Sequence, residues 1–207
     1  MENTWLSHAK QLQAIASTGL HFCKNEFDRE RYLQIAEIAN TMLCELATVP
    51  LTRIEGLVSD FAKGYATPKV DVRGALIENQ KILLVREKSD QLWTLPGGFA
   101  DVGFSAGENI AKEFIEEAGI RVSPGALYGI RHKAKHEYIQ DVRDFYKIFF
   151  ICNRLNNSGP KCGNETIDVD FFALDALPPL SKGRVIEEDI QLAFSFKQSP
   201  SSLIFFD

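Results

Sequence analysis

Leu95 to Ile120 reads LPGGFADVGFSAGENIAKEFIEEAGI, and this stretch decides the fold. A Pro96-Gly97-Gly98 loop leads into a segment with helical spacing, and Gly119 closes it. Ser105 and Glu108 stand in the S-x-x-E relation of a capping box, which predicts a helix from about Ala106. Gly119 sits where a left-handed C′ glycine ends such a helix. At about 100° per residue, Glu113, Glu116 and Glu117 share one sector, and Ile110, Phe114 and Ala118 occupy the next. Like charges three or four residues apart cost about 0.2–0.5 kcal/mol per pair, while burying one phenylalanine contributes about 1.5–3 kcal/mol. Packing of Phe114 therefore outweighs the repulsion along the acidic edge. Most acidic helix faces are simply solvated; this one follows a glycine loop that lets main-chain carbonyls come close. Clustered carboxylate and carbonyl oxygens are the donors that hard cations such as Mg²⁺ prefer.

The segment resembles the Nudix box, G-x5-E-x7-R-E-U-x-E-E-x-G-U with U apolar. Gly98 opens the box, Lys112-Glu113 takes the R-E place, and Phe114 is the first apolar position. Glu116-Glu117 is the E-E pair, and Gly119-Ile120 ends it. Two positions depart: Phe104 replaces the first glutamate and Lys112 the arginine. Lysine keeps the charge but loses the planar fork that can orient a glutamate. The resemblance implies an α/β (α+β) fold, an α/β/α Nudix sandwich around a mixed sheet. It also implies Mg²⁺, or Mn²⁺, held by Glu113, Glu117 and a main-chain carbonyl at Gly97 or Gly98. Glu116 is expected as a further ligand or just behind the ligands.

At 207 residues, with 45% hydrophobic and 25% charged side chains, the chain suits one ordinary domain plus a small one. A net charge of −5 argues against a general nucleic-acid or membrane surface. The opening MENTWLSHAKQLQ has no apolar core of signal-peptide type, and no run approaches the length of a membrane span, so a cytoplasmic protein is expected. Cys23, Cys44, Cys152 and Cys162 lack metal-ligand spacing and read as buried free thiols in a reducing compartment.

Up to about Phe61 the period is helical. Trp5, Ala9, Leu12 and Ala16 mark one helix, with Leu6 and Ile15 beside them and Gly19 expected to end it. Asp28 is expected to cap a second helix, whose apolar side carries Tyr32, Ile35, Ile38, Ala39, Met42, Leu43 and Leu46. Pro50 opens a third, to about Ala62, and residues 64–68 read as a linker. The division expected is a helical N-terminal domain, 1–66, and a Nudix domain, 67–207. Such short helices make a thin core, so they should pack on the second domain or on another subunit, as in a homodimer. The stretches WLSHAKQLQAIASTGL, NEFDRERYLQIAEIA and LPPLSKGRV are similar to a Nudix subgroup with a helical extension. That similarity implies hydrolysis of a nucleoside diphosphate linked to another group, ADP-ribose or CDP-choline.

Beyond the linker the period becomes two. Val70–Ile77 and Lys81–Val85 flank a Glu78-Asn79-Gln80 turn, a hairpin signal. Leu92–Leu95, Ala126–Ile130, Phe145–Cys152 and Val169–Leu174 read as further strands. Ser181 is expected to cap a helix from Lys182 to Phe196, and Leu203–Phe206 to form a last strand.

A pyrophosphate repels an anionic nucleophile, and divalent cations neutralise its oxygens and lower the pKa of bound water. Glu113 and Glu117, four residues apart on one edge, are the expected ligands. Nudix members often draw a general base from a loop outside the box, and Glu165 is the positional candidate here. Arg131, His132 and Lys133, with Lys135 and His136 beyond, form a basic run suited to phosphate oxygens, although a solvated loop fits it equally. Arg73 and Arg86 on the first hairpin are candidates to reach the diphosphate. The expected partner is thus a small nucleotide. A nucleotide-binding or sensing module that has lost catalysis is the second reading, motivated by Phe104 and Lys112.

Overall fold

The computed structural model describes residues 3–47, 66–199 and 204–207. The expected third helix, residues 64–65 of the linker and Leu203 lie outside the described residues. The chain divides into two compact units: Met1–Lys69 with Ala134–His136 and Gln140–Asp144, and the remainder from Val70 onward.

In the first unit, α1 (Thr4–Phe22) and α2 (Glu26–Ala47) pair as a helical hairpin. Asn3 caps α1 by accepting from the Trp5 N–H at 2.8 Å. Gly19 does not end this helix, which runs on to Phe22 while the Gly19 carbonyl accepts from Cys23 at 2.8 Å. Its lack of a side chain serves close approach instead: a Cβ there would lie 2.3 Å from the Tyr32 ring. Nor does Asp28 cap α2; Asn25 does, accepting from the Phe27 N–H at 2.8 Å, and Asp28 falls in the first turn. Leu6, Ala9 and Leu43 form a small core, with Ala16 and Ala39 also buried. Trp5, Leu12, Ile15, Leu33 and Ile38 are exposed, so much of the apolar spacing points outward.

The second unit begins with a hairpin, β1 (Lys69–Glu78) and β2 (Lys81–Glu87). Asn79 and Gln80 have φ of 50° and 60°, as a two-residue loop that follows the strand twist requires. Next come β3 (Trp93–Thr94), α3 (Ala106–Ala118), β4 (Val122–His132), β5 (Phe145–Arg154), β6 (Thr166–Ala173), α4 (Glu187–Gln198) and β7 (Phe205–Phe206). The strand order is β3-β2-β1-β5-β4-β7, with β6 along the other edge of β2. The sheet is mixed, β4 and β7 being parallel and β4 and β5 antiparallel.

Alternation along the strands builds two cores. Val72, Leu76, Leu83 and Val85 meet Ile110, Phe114 and Ala118 of α3. Ala75, Ile82 and Leu84 meet Ile190, Ala193 and Phe194 of α4. This is the α/β/α sandwich expected. Ser181 does not cap a helix from Lys182: it opens a turn, its carbonyl accepting from the Arg184 and Val185 N–H groups, and α4 begins only at Glu187. The helix start is held by Asp189, whose carboxylate accepts from the Ile186 N–H at 2.9 Å.

Candidate active site

Both ends of α3 are fixed as the local sequence requires. Ser105 Oγ accepts from the Glu108 N–H at 3.2 Å, and Glu108 Oε2 accepts from the Ser105 N–H at 2.7 Å. Gly119 ends the helix at φ 66°. Buried Asn109 steadies the loop before it, its Oδ1 accepting from Asp101 at 2.8 Å and its Nδ2 donating to the Ser105 carbonyl at 3.0 Å. Lys112 turns outward to Asp101 at 2.7 Å and Glu116 at 3.7 Å. Phe104 is half exposed.

The glycine loop lies against the acidic edge. Glu117 is buried and its Oε2 accepts from the Gly97 N–H at 2.9 Å. Gly97 has φ 142°, and a Cβ there would strike the Val72 carbonyl at 2.0 Å. A Cβ on Gly98 would stand 2.7 Å from Glu113 Oε1, so the second glycine gives that carboxylate its room. The Pro96 and Gly98 carbonyls accept from Gly74 and Val72, while Gly97 lies between these two bonds to β1. Burial pushes Glu117 up to about 8 against the pull of Arg73 and the Gly97 N–H. It likewise pushes Glu113 up to about 7, opposed by Arg73 and assisted by Glu116. Glu116 itself is exposed.

Arg73 lies inside the protein, only 4% exposed. Its Nε and Nη2 donate to the two oxygens of Asp71 at 3.0 and 2.9 Å, and its Nη1 donates to the Leu95 carbonyl at 3.0 Å. Lys147 Nζ completes a buried triad by donating to Asp71 Oδ1 at 2.7 Å. The two cations hold Asp71 down at about 2 despite its burial. Arg73 thus braces the glycine loop from below and supplies a fixed positive charge near Glu113 and Glu117. Half-buried Arg86 donates from Nε to the Gln91 carbonyl at 2.8 Å.

Glu165 is exposed on the loop before β6, and its charge is among the influences raising Glu113 and Glu87. Glu87 escaped the sequence reading. It is buried at the end of β2, its carboxyl raised by burial against Arg184, 3.4 Å away, and Arg73.

The basic run is not one patch. Arg131 is 1% exposed, paired with Glu188 at 2.9 Å and Asp189 at 3.4 Å, and stacked over the Phe205 ring. His132 meets Tyr146 edge-on, and buried Lys133 lies 4.9 Å over the Phe145 ring. Lys135 and His136 belong to the first compact unit. Arg73, a candidate to reach the diphosphate, and Arg131, a candidate for phosphate oxygens, are both buried and engaged in interior ion pairs.

Among the described residues, no three His, Cys, Asp or Glu side chains form a ready metal cluster. Two carboxylates raised by burial, beside a main-chain loop, nevertheless offer the all-oxygen donors that suit a divalent cation. The cysteines are free thiols, but of the four expected to be buried only Cys152 is; Cys23 and Cys44 are half-buried and Cys162 is exposed. No helix among the described residues is long and apolar enough to cross a membrane.

The chain belongs to the Nudix family: the NUDIX domain matches residues 68–191, and the UDP-X-like, N-terminal oligomerisation domain matches residues 3–58. It is a Nudix pyrophosphohydrolase. A Bacillus subtilis relative bearing the name "Putative ADP-ribose pyrophosphatase YjhB" is 39% identical over 207 residues, covering 100% of this chain and 99% of that one. The crystal structure of a UDP-X diphosphatase superposes with a TM-score of 0.64 at 32% identity, over 98% of each chain. That of an ADP-ribose pyrophosphatase from Streptococcus suis gives 0.62 at 38% identity, over 68% of this chain and 100% of the other.

Proposed function

We propose that the chain hydrolyses the pyrophosphate of a nucleoside diphosphate linked to a second group, with Mg²⁺, or Mn²⁺, as the metal. The observation that carries this reading is the pairing of Glu117 with the Gly97 N–H while Gly98 leaves room for Glu113. Glu113, Glu117 and the Gly97 carbonyl would hold the cation, with Glu116 behind them. When bound, it neutralises phosphate oxygens and acidifies water. Arg73 braces the loop while Glu165 takes the proton of the attacking water. One P–O bond forms, the bridging P–O bond breaks, and the products are a nucleoside monophosphate and a phosphorylated second group.

ADP-ribose stands first as substrate because two of the relatives above carry it in their names. CDP-choline and UDP-linked compounds follow, supported respectively by the flanking sequence similarity and by the UDP-X relative. Arg86, His132 and Lys133 are the candidates to meet the substrate. We place the domain boundary between residues 66 and 67, supported by family matches ending at 58 and starting at 68. The N-terminal domain makes a homodimer in this reading, and free thiols suit a cytoplasmic enzyme.

A panel of ADP-ribose, CDP-alcohols, nucleotide sugars and dinucleotides at fixed Mg²⁺ tests the substrate. ADP-ribose should yield AMP and ribose 5-phosphate; binding without turnover across the panel would refute hydrolysis. Glu165→Gln should lower kcat by roughly two orders of magnitude with Mn²⁺ binding intact, and an unchanged rate would remove Glu165 as base.

A further inference from the structure

The loop that carries Glu165 is gripped from two sides. On one side it closes the last turn of α3, where carbonyls have no partner within the helix. The Thr166 hydroxyl donates to the Glu117 carbonyl at 2.8 Å and accepts from the Gly163 N–H at 2.9 Å. That N–H also points at the Glu117 carbonyl, 3.3 Å away, and Lys161 donates to the Ala118 carbonyl at 2.8 Å. Thr166 is 2% exposed, so its hydroxyl is an interior hydrogen-bonding group. A Cβ on Gly163 would fall 1.5 Å from the Glu116 carbonyl oxygen, so a side chain there would force the loop off the helix. On the other side, the Lys88 N–H donates to the Glu165 carbonyl at 3.0 Å, and Lys88 Nζ donates to the Asn164 carbonyl. The β2–β6 register shifts between Arg86 and Glu87, and Glu87 then stands opposite Thr166. Irregularities of this kind re-aim side chains beside active sites.

We propose that Thr166 and Gly163, with Lys88 opposite, are positioning residues that tie the backbone of Glu165 to the helix bearing Glu113 and Glu117. The latch keeps the loop acid and the helix acids in one geometry. A proton acceptor must stay within hydrogen-bond reach of the water it serves, and a displacement of about 1 Å can cost about 10²-fold in rate. This rests on the reading of Glu165 as base and goes beyond it by naming what holds the base in place.

The test is a double-mutant cycle on ADP-ribose hydrolysis, or on CDP-choline if the panel selects it, joined to amide exchange of residues 161–166. Thr166→Val should lower kcat about tenfold or more with KM within about twofold, and should speed exchange across the loop. Thr166→Ser should restore both. In the Glu165→Gln background the valine should cost less than about twofold, because the group it positions is gone. A loss carried undiminished into that background, or an unchanged exchange rate, overturns the proposal. If Thr166→Val does not fold, Lys88→Met at an exposed position enters the same cycle under the same criteria. A full rate for Glu165→Gln alone sinks the base assignment and this proposal with it. An impaired Glu165→Gln that is uncoupled from Thr166 sinks only the latch.

Discussion

Glu117 is asked to do two opposed things. It is buried, which favours the neutral acid, and the proposed metal-binding role needs the anion. Its folded pKa of about 8, and that of Glu113 at about 7, stand above the unfolded value of about 4.3. Between these limits the folded state holds more protons than the unfolded chain, so stability falls as pH rises from about 4.3 to about 8. A cation that binds the two carboxylates opposes that fall, because it binds the folded form alone. Thermal melts in EDTA should therefore show the midpoint dropping from pH 5 to pH 8, and added Mg²⁺ should recover most of the drop. Glu117→Gln carries no such charge: its slope should be shallower and its midpoint at pH 8 higher than that of the unaltered protein. Its kcat should fall by roughly two orders of magnitude or more. Parallel slopes for the two proteins would show that Glu117 is already ionised in the metal-free fold.

At the scale of elements, the helix is fixed at both ends by its own residues, whereas the glycine loop is held by β1, Arg73 and Glu117. Gly98 tests how closely loop and helix must approach, since its backbone conformation needs no glycine but its surroundings do. Gly98→Ala would set a methyl group 2.7 Å from Glu113 Oε1. We expect kcat to fall by at least about tenfold with the thermal midpoint changed by only a few degrees; full activity would show that Glu113 swings away freely. These local features were legible in the sequence because Ser105, Glu108 and Gly119 act on neighbours within one turn. The hairpin was legible for the same reason. The ion network under the loop was not: Lys147 and Asp71 are 76 residues apart and meet only once β5 lies beside β1. A polar residue such as Arg73 in an alternating strand reads as solvent-facing, and the pattern holds no sign that another strand will supply its counter-ion. The ion pairs of Arg131 were hidden on the same ground, its partners Glu188 and Asp189 coming from α4. Glu87 carries no local signal, and only the irregular pairing with β6 places it opposite Thr166. Gly19 was misjudged because glycine signals both a helix end and a close crossing, and only the Tyr32 ring decides between them.

The whole molecule raises the question of what covers the N-terminal helices. Their described core is Leu6, Ala9 and Leu43, with buried Ala16 and Ala39 and a few partly buried neighbours. Trp5, Ile15 and Phe22 on α1, and Phe27 and Ile38 on α2, are each more than half exposed in the single chain. Isolated apolar side chains on a surface are ordinary, whereas a contiguous exposed patch is the pattern of a contact surface. Fully covering one large side chain contributes about 1.5–3 kcal/mol, and association costs about 4–15 kcal/mol, so most of this set, on both copies, must be covered to hold two chains together. The family match for residues 3–58, described as an oligomerisation domain, points to a second copy as the cover. Sedimentation at micromolar concentration should therefore give twice the chain mass of 23.3 kDa. Ile15→Glu, which places a charge on the exposed side of α1 without touching Leu6, Ala9 or Leu43, should shift the protein to the monomer. Far-ultraviolet circular dichroism should stay close to that of the unaltered chain, which separates a lost interface from a lost fold. If the unaltered protein already sediments as a monomer, the exposed helices are covered by something other than their own copy. If Ile15→Glu remains a dimer, the interface lies on another face of the chain.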